Sequence, residues 1–230
     1  MLRYSALIVL LQFGCTTLQR SETSATCCSR QAFSDALRIA QQYRNPAITD
    51  RRFTHSQFSN AVENSIHAPG LRYETIGRSI LGRDIRAVTF GQGPTRVLLW
   101  SQMHGDEATA TMALAEPFRL FGKVTSHPLH QRHARELTVT FVPMLNPDGA
   151  ELFQRQNALG IYVNRHARRL VTPEARALKS LRDRFDPHFG FNLHDQSART
   201  RVGRTGEQAA IALLAPAFDP QRSYNDLRGG

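Results

Sequence analysis

Ser101-Gln102-Met103-His104-Gly105-Asp106-Glu107 lies between two apolar stretches of different character. Ahead of it, Arg96-Val97-Leu98-Leu99-Trp100 is short and almost unbroken, which reads as a buried strand. Behind it, Ala108-Thr109-Ala110-Thr111-Met112-Ala113-Leu114-Ala115 reads as a helix. His104 and Glu107 therefore sit on a strand-to-helix loop, where an imidazole and a carboxylate can reach one metal ion from the same side. A second imidazole from elsewhere would complete two His and one Glu with an open fourth position, the donor set of a catalytic zinc. By itself H-x-x-E is more often a feature of a solvated loop, so the remainder of the chain has to decide.

On the N-terminal side, Leu71 to Gly91 reads as a hairpin. Tyr73 to Ile80 is one strand, Leu81-Gly82-Arg83 the turn and Asp84 to Phe90 the second strand. Ala32 to Tyr43 has apolar residues at helical spacing, with Asn45-Pro46 breaking it, whereas residues 48–70 carry no clear period. On the C-terminal side, Thr125 to Arg135 is a polar, His-rich connection. Glu136 to Pro143 is a β-branched strand running into Asn146-Pro147-Asp148-Gly149, a turn by composition. Thr172-Pro173-Glu174 has a capping residue, a proline at the first position and an acid in the first turn, and so starts a helix that Asp186-Pro187 stops. Phe189 to Leu193 is a short strand leading into His194-Asp195-Gln196, and residues 209–214 suit a further strand. Strands alternating with helices predict an α/β sheet, and the candidate ligands fall just after strands, where open α/β sheets place their sites.

The chain has 230 residues, enough for one domain with a real core. Its net charge of +10 rests almost wholly on arginine, with Lys only at 123 and 179, and no long basic run or nucleic-acid motif accompanies it. Nucleic acid is therefore not an expected partner. The cysteines, at 15, 27 and 28, all precede the expected folded body, so a metal site there must use His, Asp or Glu. Met1 to Phe13 carries one positive charge and then a short apolar run. It reads as an export signal, with Gly14-Cys15 similar to a bacterial lipoprotein junction and Cys15 as the lipid-anchored residue. Residues 1–30 are thus expected to be signal and linker, and residues 31–230 the domain. No segment is long and apolar enough to predict a transmembrane helix.

Four pieces stand in order: His104-x-x-Glu107; Asn146-Pro147-Asp148-Gly149 followed by Phe153-Gln154-Arg155-Gln156-Asn157; Gly160-Ile161-Tyr162-Val163-Asn164-Arg165; and Asn192-Leu193-His194-Asp195-Gln196. Together they resemble the zinc carboxypeptidases of the carboxypeptidase A type, from about Leu71 onward. The resemblance implies a three-layer α/β/α fold around a central mixed sheet. It implies one zinc ion held by His104, Glu107 and His194, and a peptide or protein C-terminus as substrate. It further implies that Asn164 and Arg165 grip the terminal carboxylate and that Arg155 stabilises the oxyanion. A planar guanidinium fork suits a carboxylate, and a fixed cation suits developing negative charge, so the chemistry agrees. Asp195, beside His194, is a candidate for orienting a ligand. His127, His130, His133, His166 and His188 have no motif around them and read as surface or loop histidines.

Two departures qualify the expectation. Family members usually carry Asp-Leu-Asn-Arg-Asp around the carboxylate-binding pair, whereas this chain reads Tyr162-Val163-Asn164-Arg165-His166. The family's general base, a glutamate on a late strand, is matched by no residue: Glu207, Asp219 and Asp226 lie in no such motif. The sequence therefore looks like the N-terminal two-thirds of a peptidase domain, expected to keep zinc while being weak or inactive in hydrolysis. A zinc amidohydrolase of the aspartoacylase or desuccinylase type and a non-catalytic zinc-containing peptide-binding module are the alternatives.

Overall fold

The computed structural model describes residues 30–123, 128–195 and 206–207. The expected export segment, the three cysteines, His127 and the strand expected at 209–214 lie outside the described residues. The chain divides into residues 1–195 and 196–230, and the second unit contributes only Gly206 and Glu207 to the description.

Among the described residues five strands form one sheet: β1 (Leu71–Arg78), β2 (Asp84–Phe90), β3 (Thr95–Ser101), β4 (Leu137–Val142) and β5 (Phe189–Leu193), in the order β1-β2-β4-β3-β5. β1, β2 and β4 pair antiparallel, while β4, β3 and β5 run parallel, which makes the sheet mixed as expected. The hairpin turn expected at Leu81-Gly82-Arg83 is present. Gly82 takes a φ of 79°, and Ser79 N donates to Arg83 O at 2.9 Å.

Helices cover both faces because the strands are apolar on both. Val88, Phe90, Val97, Leu99, Val139 and Phe141 point into one core with α1 (Arg30–Gln42), α2 (His55–Ile66) and α3 (Thr109–Lys123). Ile85, Ala87, Leu98 and Val142 point the other way, against Ala177 and Leu181 of the helix Pro173–Phe185. This is the three-layer arrangement, and the near-continuous apolar run of β3 follows from burial on both sides.

Three local readings change. Residues 48–70 contain α2, whose start is a capping box: Thr54 Oγ1 accepts from Gln57 N at 3.1 Å and Gln57 Oε1 accepts from Thr54 N at 2.8 Å. The polar connection before β4 is largely a helix, α4 (Pro128–Glu136), and His130 and His133 on it are buried rather than exposed. His130 Nε2 lies 3.0 Å from Phe121 O, and its ring packs edge-on against Phe90. Asn146-Pro147-Asp148-Gly149 is the start of α5 (Pro147–Leu152), with Asn146 Oδ1 accepting from Gly149 N at 3.0 Å and proline at the first position.

Candidate metal centre

The parallel pairing of β3 and β5 decides the site. Ser101 stands opposite Leu193 at the carboxyl ends of these neighbours, so the loop carrying His104 and Glu107 and the residue His194 leave the sheet side by side. The first loop is tightly built. Gln102 is buried with a φ of 51°, and its Nε2 donates to Gly105 O at 2.8 Å. Asn146 N donates to Gln102 O at 3.0 Å, joining this loop to the one after β4. Glu107 N donates to His104 O at 3.1 Å, turning the chain so that both side chains face the same point. Gly105 has no room for a side chain, since a Cβ there would lie 2.0 Å from Gly149 C and 2.4 Å from Ala150 N.

His104, Glu107 and His194 meet with one ligand atom from each within 4.8 Å of the others. Both imidazoles aim Nδ1 at Glu107 Oε2, His194 from 2.5 Å and His104 from 3.0 Å. His104 Nδ1 is buried, yet its approach to the carboxylate lacks the direction of a hydrogen bond. Two ring nitrogens crowding one carboxylate oxygen, one of them buried without a hydrogen bond among the described residues, suit a shared cation better than a shared proton. The donors are also the borderline nitrogen and oxygen types that zinc takes. The residues fit the ion.

Arg155 Nη1 donates to the other carboxylate oxygen, Glu107 Oε1, at 2.7 Å. Burial alone would raise the Glu107 pKa, but contact with His194, His104 and Arg155 outweighs it and lowers the value to about 2. Glu107 is thus an anion before any metal arrives. Four of the six expected site residues are therefore in one cluster. Asn164 and Arg165 sit on a short helix, α6 (Val163–His166). Asn164 has a buried Oδ1 without a hydrogen-bond partner among the described residues, and the exposed Arg165 lies 4.8 Å over the Tyr162 ring. No hydrogen bond or ion pair among the described residues joins either to the three-donor cluster.

Asp195 makes no hydrogen bond to His194 among the described residues: its Oδ1 accepts from Thr109 N at 3.0 Å and its Oδ2 from the Arg51 guanidinium at 2.7 Å. Sequence reasoning missed Arg51. No motif surrounds it, and only the fold brings it here.

The zinc carboxypeptidase family matches residues 62–208, and the chain belongs to that family. Among its relatives are a probable carboxypeptidase 2 of Arthroderma benhamiae, 31% identical over 53% of this chain and 23% of that protein, and carboxypeptidase 2 of Trichophyton tonsurans, 30% identical over the same shares. The chain thus spans about a quarter of the length of the curated relatives it matches. Among solved structures, a metallo-carboxypeptidase from Burkholderia cenocepacia aligns with a TM-score of 0.55 at 20% identity, over 62% of this chain and 41% of that one. The carboxypeptidase A of Helicoverpa armigera aligns at 0.54 and 14% identity, over 72% and 54%. These likenesses establish a carboxypeptidase-like α/β fold, with the candidate centre at the carboxyl ends of β3 and β5.

Proposed function

We propose that this chain is a zinc-dependent metallocarboxypeptidase that hydrolyses C-terminal peptide bonds, with His104, Glu107 and His194 holding the metal. The observation that carries the reading is the convergence of three donors from two loops on one point, with His104 Nδ1 buried and lacking a hydrogen bond among the described residues. Zinc held there supplies Lewis-acid polarisation of the scissile carbonyl.

The chain's own residues do the rest. Arg155, already against Glu107, presents a fixed cation to negative charge developing on the carbonyl oxygen. Arg165 offers an exposed guanidinium fork for the terminal carboxylate of the substrate, and Asn164 an adjacent polar side chain. An extracytoplasmic location, with an anchor at Cys15, rests on the sequence of residues 1–15 and belongs to the same proposal.

The test is zinc content of the purified 230-residue chain and of its H194A variant, with cleavage of a peptide and of an N-acyl amino acid assayed on the same samples. About one zinc per chain, lost in H194A, with peptide cleavage that is weak because no residue here matches the family's general base, is the expected result. Zinc without peptide cleavage would place the general base outside these 230 residues or mark a binding role. Preference for the N-acyl amino acid would turn the reading to an amidohydrolase.

A further inference from the structure

Arg51 lies ahead of the residues that the family matches, in the stretch before α2. Its Nη2 donates to the Asp106 carbonyl oxygen at 2.9 Å and to Asp195 Oδ2 at 2.7 Å. The same guanidinium stands 5.6 Å from the centre of the Phe153 ring. Asp106 adjoins Glu107, Asp195 adjoins His194, and Phe153 is separated from Arg155 by Gln154 alone. One cation therefore touches all three loops that carry the cluster.

The link from Asp195 continues. Its other oxygen accepts from Thr109 N, the first residue of α3, so the His194 segment is tied to the His104–Glu107 loop both directly and through Arg51. His194 needs such a tie more than its partners do. Its side chain is 34% exposed, against 5% for His104 and 10% for Glu107, and it stands one residue past the end of β5. Packing fixes the first two donors, whereas His194 depends on the segment that follows its strand.

We propose that Arg51 is a positioning residue for the metal centre, a clamp on Asp106 and Asp195 that holds His194 in register with His104 and Glu107. The inference rests on the zinc reading given above. Arg51 is 55% exposed, so solvent screens its pairing with the half-buried Asp195 and limits what the pair adds to folding. Its effect is therefore expected in metal retention rather than in the stability of the metal-free chain. Partners that orient metal ligands are worth about 10–100-fold in affinity.

The experiment measures zinc affinity by chelator competition for the parent, R51M, R51K, D195N and the R51M/D195N double variant. The melting temperature of each metal-free chain and the visible spectrum of its cobalt-loaded form are recorded alongside. R51M keeps an unbranched side chain but loses the donors and the cation beside Phe153. It is expected to bind zinc about tenfold or more weaker, with an unchanged metal-free melting temperature and an altered cobalt spectrum. R51K, which keeps a cation, is expected to recover part of the loss. The double variant is expected to lose less than the sum of the singles, because both changes break the Arg51–Asp195 link. Zinc binding by R51M at parental strength, additive losses in the double, or a loss mirrored by a fall in the metal-free melting temperature would each overturn the clamp. A parent chain that takes up no zinc would overturn the metal reading itself, and the clamp with it.

Discussion

The Arg155 guanidinium lies 2.7 Å from Glu107 Oε1, on the same carboxylate whose Oε2 faces His104 and His194. A residue proposed for catalysis is thus in contact with a residue proposed for metal binding. The two roles still separate by experiment. R155M is expected to keep its zinc, since three donors remain, while peptide hydrolysis falls about 10²–10³-fold, the usual effect of removing one oxyanion donor. Parallel loss of zinc and activity would make Arg155 a support for Glu107 only.

The Glu107 carboxyl gives the metal-free chain a pH dependence of known sign. Its pKa lies below the ordinary 4.5, at about 2, so the stabilisation is present above about pH 4.5 and is lost as the pH falls toward 2. At about 1.4 kcal/mol per pH unit, the full difference amounts to an upper bound on the order of 3 kcal/mol. Urea unfolding between pH 7 and pH 3 is expected to show this slope in the parent and a flatter one in E107Q. Equal slopes would place the acid sensitivity elsewhere.

Gly105 tests whether the ligand loop depends on its backbone contact with α5. The Cβ of an alanine there would meet Gly149 and Ala150 backbone atoms at 2.0 and 2.4 Å, and backbone does not yield as a flexible side chain does. G105A is expected to lower stability by about 1–3 kcal/mol and to weaken zinc binding with it, because the loop must shift. Denaturant midpoints and zinc titration of the same sample check both. A stable G105A chain with parental zinc affinity would contradict the packing.

Asp148 is 1% exposed and accepts from Ser79 Oγ at 2.8 Å, Arg83 Nη1 at 2.7 Å and Leu81 N at 3.0 Å. D148A removes the acceptor for all three and is expected to cost about 3–5 kcal/mol. The exposed surface pair Lys179–Asp183 is the control, where K179A is expected to leave the unfolding midpoint nearly unchanged. Comparable losses in urea unfolding would mean that burial does not set the scale here.

Glu174 is fully buried, with Asn157 Nδ2 donating to its Oε2 at 3.3 Å and Oε1 unpaired among the described residues. Burial raises its pKa, so its contribution is present below the ordinary value and is lost as the pH climbs through the raised one. E174Q, which cannot ionise, is expected to gain stability over the parent as the pH rises from 4 to 8. A difference that does not vary with pH would show that Glu174 does not titrate in this range.

Much of this centre was legible before any fold was known. H-x-x-E between an apolar run and a helix fixed the chemistry of one loop, because strand and helix periodicities are local. Asn-Leu-His after a short strand marked the third donor for the same reason. The capping box at Thr54 and Gln57 was equally local and readable, yet residues 48–70 lacked the apolar period that would have drawn attention to it. His130 and His133 looked like surface residues, since a polar stretch carries no sign of what packs on it, which for His130 is Phe90 and Phe121.

The sequence alone thus determined which side chains are able to bind a metal, and on which loops they sit. The tertiary structure decided which of them meet. Glu107 and His194 are 87 residues apart, and only the parallel pairing of β3 with β5 brings them to 2.5 Å. Arg51 is 144 residues from Asp195, with no motif to mark it. Local propensity acts over a few residues, whereas a metal site is closed by strand order and packing across the whole chain.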